Sequence, residues 1–302
     1  MAAMLEPFPI IEIPAEARSD VEQLGSKPKF WFKHQEQDWL FKESRDTAGE
    51  DWSEKVASEV AHLMGLPTHH AELAIWQGRS GCAVKSFIRP NQGFLTHGNE
   101  LLGGLITGYD KEKQRGQADH TFDNIVQVLE KLFTSDKDRL LAASHMVGYL
   151  VLDAFIGNTD RHHQNWGVLV ERRSALGGPA AVLLRLAPTF DHASSLGREL
   201  TDAARARYLR EGAIERYVRN GRGGIFEHPQ SKHGMSPIAL AEMLAQRYPI
   251  FFKSWQTRVA DLSESALAEL LERVPDSRIS PLGRKFALAL LTTTRNMLKK
   301  AL

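Results

Sequence analysis

Residues 146–197 read MVGYLVLDAFIGNTDRHHQNWGVLVERRSALGGPAAVLLRLAPTFDHASSLG. The apolar run entering this stretch begins at Leu140 and stops at Gly157 and Asn158. A run apolar nearly all round predicts a buried helix at the centre of a helical unit. A polar knot, Asn-Thr-Asp-Arg-His-His-Gln-Asn, fills residues 158–165. Two β-type runs follow, 166–170 and 181–186, and Ala187-Pro188 then leads into Thr189-Phe190-Asp191. The order is a carboxylate, Asp160, an amide five positions later, Asn165, a hairpin, and a second carboxylate, Asp191.

That order meets the demands of phosphoryl transfer. A hydroxyl nucleophile needs an acceptor for its proton, and a carboxylate held on a loop supplies one. A triphosphate needs magnesium, which takes oxygen ligands and keeps several waters. Asp160 suits the first task, and Asn165 with Asp191 the second. Arg161 and His162 can orient the loop or neutralise charge. An Asp and an Asn at this spacing arise about once by chance in a chain of this length. The setting carries more weight: the knot is anchored on a rigid apolar helix and followed at once by strands.

Composition sets the frame. The chain has 302 residues, 42% hydrophobic and 25% charged, with a net charge of +1. Such a balance is ordinary for a globular protein and gives no bulk attraction to nucleic acid or membrane. A single cysteine, Cys82, excludes an internal disulfide and a cysteine-based zinc site and fits a reducing cytoplasm. No apolar run is read as reaching the length of a membrane span, and no signal pattern opens the chain. His69-His70 and His162-His163 invite a metal reading. Adjacent histidines point apart, however, and there is no thiolate partner, so no metal site is expected from either pair.

Upstream, residues 1–20 mix proline and apolar residues and predict an edge strand. Phe30 to Phe32 and Trp39 to Lys42 predict a hairpin across a polar break. Asp51-Trp52-Ser53 offers a cap to a helix carrying Val56, Val60, Leu63 and Met64, which Gly65-Leu66-Pro67 ends. Runs 71–76 and 82–88 predict paired strands around 77–81. Downstream, Phe122, Ile125, Val128, Leu129 and Leu132 form a helical stripe. Residues 198–234, polar and basic, are read largely as helix ends and a mobile loop. Helices are expected over 238–245, 250–259, 264–271 and 281–298. The predicted class is α+β in two lobes: residues 1–90, β-rich with one helix, and 91–302, mainly helical.

Lys42 closes a strand-like run ahead of a helix carrying Glu54 and Glu59. A lysine on triphosphate oxygens, steadied by a helix carboxylate, is a usual device for positioning ATP. Glu54 and Glu59 lie roughly 140° apart around a helix, so only one can face the site. Residues 25–29, Gly-Ser-Lys-Pro-Lys, can curl over phosphates, although they match neither the Walker nor the kinase glycine-rich pattern.

The run VLDAFIGNTDRHHQNWGVLV, followed by LRLAPTFD, resembles the HipA-like protein kinases, whose fold is similar to that of eukaryotic protein kinases and phosphatidylinositol kinases. The latter share an Asp-Arg-His-x-x-Asn core, matched by Asp160, Arg161, His162 and Asn165. Residues 25–30 resemble the family's Gly-x-Gln-Pro-Lys loop, with Lys27 in place of Gln. The run SEKVASE, residues 53–59, resembles its N-lobe helix, and residues 87–102 resemble its hinge region and the segment next to it. The resemblance covers most of residues 20–300. It implies a two-lobed protein-kinase-like fold and an ATP- and Mg2+-dependent transfer to Ser/Thr of a protein. In it Asp160 is the catalytic base, with Arg161 and His162 beside it, and Asn165 and Asp191 bind magnesium. Gly25, Ser26, Lys27, Lys29, Lys42, Glu54, Ser86 and Phe87 surround the nucleotide. The 25–29 loop is expected to act as a lid that phosphate on Ser26 would regulate. A toxin–antitoxin setting with an antitoxin partner is implied too, in the cytoplasm. Two other readings stay open: a lipid or small-molecule kinase, and a nucleotide-binding regulator without transfer activity.

Overall fold

The computed structural model describes residues 5–17, 20–21, 29–45, 48–88, 93–173 and 181–301. The N-terminal part is a six-stranded sheet of β1 (Ile10–Ile13), β2 (Asp20–Val21), β3 (Lys29–His34), β4 (Gln37–Glu43), β5 (His70–Trp76) and β6 (Arg79–Lys85), with α1 (Glu50–Leu63) between β4 and β5. Strand order is β1-β5-β6-β4-β3-β2. β1 lies at an edge, parallel to β5, and the β3–β4, β4–β6 and β5–β6 pairs are antiparallel. The β3–β4 and β5–β6 hairpins turn through Gln35-Glu36 and Gln77-Gly78, all four residues at positive φ. Two-residue turns of this kind match the twist of the flanking strands. β6 therefore begins at Arg79 rather than Cys82, because the turn is shorter than the polar run 77–81 implies. One face of the sheet buries Phe30, Phe32, Trp39 and Phe41.

α1 differs from expectation at its start. Its N-cap is Gly49 at φ 58, with no side-chain cap, and Glu50 and Asp51 sit in the first turn. Carboxylates there complement the helix dipole. Lys55, itself buried, pairs with Glu59 at 2.7 Å and Glu72 at 3.0 Å.

β7 (Gly93–His97) and α2 (Gly98–Leu105) lead into α3 (Phe122–Leu132) and α4 (Asp136–Ile156), then β8 (Gly167–Arg173) and β9 (Ala181–Leu186). β7, not foreseen in the sequence, pairs antiparallel with β8 in a three-stranded sheet. The remaining elements are α5 (Asp202–Arg210), α6 (Ile214–Asn220), α7 (Pro237–Arg247), α8 (Pro249–Asp261), α9 (Glu264–Glu272) and α10 (Pro281–Lys299). Ser and Thr side chains cap α3, α4, α5, α7, α9 and α10 by accepting an amide N–H two or three residues into the helix.

α4 is the axle of this half. It packs on α3, α7, α8, α10 and β9 and buries every residue from Met146 to Ile156. Each of its large apolar side chains contributes about 1.5–3 kcal/mol by leaving water. The expectation of no span-length apolar run needs correction. α4 has 21 residues and an 18-residue window of mean hydropathy 1.4, but 67% of that window is buried inside the protein. The reading of 198–234 as helix ends and a mobile loop is corrected in part: two whole helices, α5 and α6, lie within it. Gly224 packs on the polar knot, where an added Cβ would stand 2.8 Å from Arg161 O and His162 Cα.

Candidate active site

The polar knot starts where α4 ends. Gly157 takes the left-handed C-cap at φ 67, and Asn158 turns back so that Nδ2 donates to Asp153 Oδ1 at 2.7 Å. Arg161 donates to both oxygens of the same carboxylate, at 2.7 and 2.8 Å, and to Thr189 Oγ1 at 3.0 Å. Burial opposes the guanidinium's charge, but Asp153 outweighs it and raises the pKa above its ordinary value. Arg161 is thus a buried anchor joining the knot, the end of α4 and the segment before Asp191. The one carboxylate inside the apolar run, Asp153, was the sequence signal for that anchor.

Asp160 is the exposed member of the knot. Its backbone is held by Asn158 Oδ1 at 3.1 Å and by Asn165 Nδ2, which donates to Asp160 O at 2.7 Å. Among the described residues no hydrogen bond or ion pair engages its carboxylate. Desolvation by the protein beneath pushes its pKa up; the charge of Asp191 adds to this, while His162 and two arginines oppose it. Desolvation also lowers His162, against the pull of Asp160 and Asp191. His162 Nδ1 accepts the Gln164 amide at 3.2 Å.

Asp191 adopts φ 61, a conformation that few side chains tolerate and aspartate tolerates best among the charged ones. Its Oδ1 lies 3.0 Å from Lys42 Nζ, contributed by β4. Burial opposes ionisation of Asp191, yet Lys42 holds it well below the carboxylate range. Lys42 is correspondingly raised: burial acts against its charge, and Asp191 and then Glu54 act for it. A cavity of about 180 Å³ brings together Lys29, Lys42, Asp160, Asp191 and Ser194. Cys82 also lines it, and burial pushes its thiol up, so it stays protonated and unreactive.

Glu54 points inward, fully buried, with Oε1 2.7 Å from His69 Nε2. Burial raises and His69 lowers its pKa, and the net is downward. It meets Lys42 through charge rather than contact, and Glu59 is committed to Lys55. Ser86 Oγ donates to Ile88 O, and Phe87 packs against Phe190, next to Asp191, with ring centroids 5.9 Å apart and planes tilted by 35°. Gly25, Ser26 and Lys27, and with them most of the proposed lid, lie outside the described residues. Arg161, His162, Asn165, Glu54, Ser86 and Phe87 do not line the cavity.

α1 is tied to the Asp191 segment by Ser53 Oγ, which lies 3.0 Å from Ala193 O and 2.9 Å from Ser195 Oγ. Thr189 N donates to Pro67 O at 2.9 Å, and His69 N to Thr189 O at 3.1 Å. The sequence reading set His69 aside together with its neighbour His70, and it missed His192 and Ser194; the position of His192 beside Asp191 was the one hint of that pair.

Residues 23–246 match the model of the HipA-like C-terminal domain, well over half of the chain. The chain belongs to the HipA-like family. Among curated proteins no sequence matches it. In solved structures, this HipA-like chain is similar to the Helicobacter pylori proinflammatory kinase CtkA, with a TM-score of 0.75 at 17% identity, covering 97% of each chain. HipA of Shewanella oneidensis MR-1, solved with HipB and its operator DNA, gives 0.54 at 12% identity over 95% of this chain and 67% of its own. At such identities the likeness speaks to the fold, which is the α+β, two-lobed, kinase-like one.

Proposed function

We propose that this chain is an ATP- and magnesium-dependent kinase that transfers the γ-phosphate to a Ser/Thr hydroxyl of a protein. The observation that carries the reading is the cavity shared by Asp160, Lys42 and Asp191, with the Asp160 carboxylate unengaged among the described residues. A carboxylate of raised pKa is a stronger base than a free one, suited to taking the acceptor hydroxyl's proton. Lys42 and Lys29 supply positive charge for the triphosphate, and Lys42 must leave Asp191 to do so.

The residues present fit magnesium. Asp191 brings a carboxylate, and Asn165, whose Nδ2 is engaged by Asp160 O, offers its amide oxygen. When bound, the ion neutralises phosphate charge as the transfer proceeds. Arg161 fixes the knot on α4 and so sets where Asp160 stands. By family likeness we extend the reading to a toxin–antitoxin setting in the cytoplasm, with an antitoxin as protein partner.

One observation favours a second acceptor class. A cavity of about 320 Å³ adjoins the first at Ser194 and is lined by Thr159, Arg198, Tyr208, Tyr217 and Arg222, room for a small molecule or headgroup. Incubating the protein with γ-labelled ATP and a lysate, read by mass spectrometry, tests both. Labelled protein is the expected outcome. Labelled lipid or metabolite moves the assignment to the second class, and no label overturns both.

A further inference from the structure

Beneath the Lys42–Asp191 pair lie three side chains from three parts of the chain: Glu54 of α1, His69 ahead of β5, and His192 beside Asp191. All three are fully buried. Glu54 Oε1 stands 2.7 Å from His69 Nε2 and 3.9 Å from His192 Nδ1. One ligand atom from each residue lies within 4.8 Å of the other two, and the imidazole centroids are 5.2 Å apart.

The far side of each ring is already engaged. His69 Nδ1 lies 3.0 Å from Thr189 O, and His192 Nε2 lies 2.8 Å from Thr189 Oγ1. A carbonyl only accepts, so His69 carries a proton on Nδ1, and in the neutral ring Nε2 turns a lone pair toward the Glu54 carboxylate. Among the described residues, Glu54 Oε2 and His192 Nδ1 lack a hydrogen-bond partner, and Glu54 Oε1 and His69 Nε2 have none beyond each other. A doubly protonated His69 would answer Glu54 Oε1 as an ion pair. It would leave Glu54 Oε2 and His192 Nδ1 unanswered. Converging orphaned polar atoms in a buried place call for an explanation, and an unseen ion is one.

We infer that Glu54, His69 and His192 form a binding site for a divalent transition cation of the zinc type. Two imidazoles and a carboxylate are a recurrent donor set for zinc. Bonds of about 2.0–2.1 Å in a tetrahedron put donor atoms about 3.3 Å apart. The separations of 2.7 and 3.9 Å fall on either side of that figure, so small side-chain shifts suffice. Glu54 Oε2 or a water completes the set. Thr189 supplies the supporting shell: its carbonyl fixes the tautomer and plane of one ring and its hydroxyl steadies the other. Magnesium, which prefers oxygen, is not the ion for this donor set, so the cluster is distinct from the Asn165–Asp191 pair. The partners of His69 come from other elements, which is why pairing it with its neighbour His70 was no guide. A cation here clasps α1 to the segment carrying Asp191. The inference stands on this cluster alone, whatever reaction the cavity above it performs.

The test uses the full chain without a histidine tag, stripped by chelator and titrated with Zn2+ and Co2+. The expected result is one equivalent bound with a dissociation constant below about 10 µM. An intense visible Co2+ band of tetrahedral type should appear, unaffected by millimolar Mg2+. Glu54→Gln and His192→Asn, checked for folding by circular dichroism, should each weaken binding by at least about ten-fold and lose the band. A wild-type protein that binds no equivalent of either ion overturns the inference without reference to any variant. Binding that survives unchanged in both folded variants overturns it as well.

Discussion

Asp160→Asn keeps the shape of the side chain and removes its capacity to take a proton. The proposed role predicts a fall in phosphate transfer of about 10²–10⁴-fold with ATP affinity nearly unchanged, since a positioned base acts on the transition state. Single-turnover transfer and nucleotide titration read the two separately; wild-type turnover would remove Asp160 from the mechanism. Arg161 acts differently. Arg161→Met leaves Asp153 buried without its bidentate partner and should cost about 3–5 kcal/mol in a urea melt. A loss under about 1 kcal/mol would show that the anchor carries little. Histidines set the acid side of the stability curve. Burial lowers His120 to about 3 and His163 to about 4. His120 Nδ1 lies 2.7 Å from Gly224 O and its Nε2 accepts from Trp166 Nε1 at 3.1 Å, a pattern only the neutral ring can hold. Below about pH 6.5 the unfolded chain gains these protons and the folded one does not. Stability should therefore fall as pH drops from about 6.5 toward 4, by up to about 1.4 kcal/mol per pH unit for each ring. Melts at pH 7, 6 and 5 check the sign, and His120→Gln should flatten the slope.

At the level of elements, α4 was readable as one apolar run ending at Gly157, and the β3–β4 hairpin as two short aromatic runs around a polar break. β7 was not, because it is five residues long and its partner β8 lies some 70 residues onward. α5 and α6 were hidden by charge: α5 buries only Arg205, and α6 only Ile214 and Val218. The Ala and Arg content of α5 was a helix signal that the apolar pattern did not reinforce. Gly221, Gly223 and Gly224 fall in the stretch read as helix ends and a mobile loop, yet Gly224 is needed for close approach to the knot. Gly224→Ala should force the backbone of Arg161 and His162 to move. Its cost in stability should be about 1–3 kcal/mol, as for overpacking elsewhere. Its effect on transfer should be larger, because a displacement of about 1 Å near the reacting groups can lose about 10²-fold. Transfer rates and melts on one preparation settle the comparison; a variant with wild-type turnover would free the knot from Gly224.

Over the whole molecule, the site is assembled from both halves. β4 brings Lys42, α1 brings Ser53 and Glu54, the end of α4 brings Asp160, and the segment after β9 brings Asp191. The residue types were legible because a polar knot after an apolar helix is conspicuous in one dimension. Their partners were not: Lys42 meets Asp191 at a separation of 149 residues, and His69 meets Thr189 at 120. Pairings of that range depend on how the lobes close, which no local pattern carries. The Lys42–Asp191 bond also has to break for catalysis of the proposed kind. Lysine and carboxylate must part for the nucleotide, the lysine going to phosphate and the carboxylate to the ion. A crystal structure with Mg2+ and a non-hydrolysable ATP analogue tests this directly. The triphosphate is expected in the cavity of Lys29, Lys42, Asp160 and Asp191, the ion on Asn165 and Asp191, and Lys42 Nζ on phosphate oxygens. Nucleotide bound elsewhere, or a Lys42–Asp191 pair left intact beneath a saturated site, would contradict it.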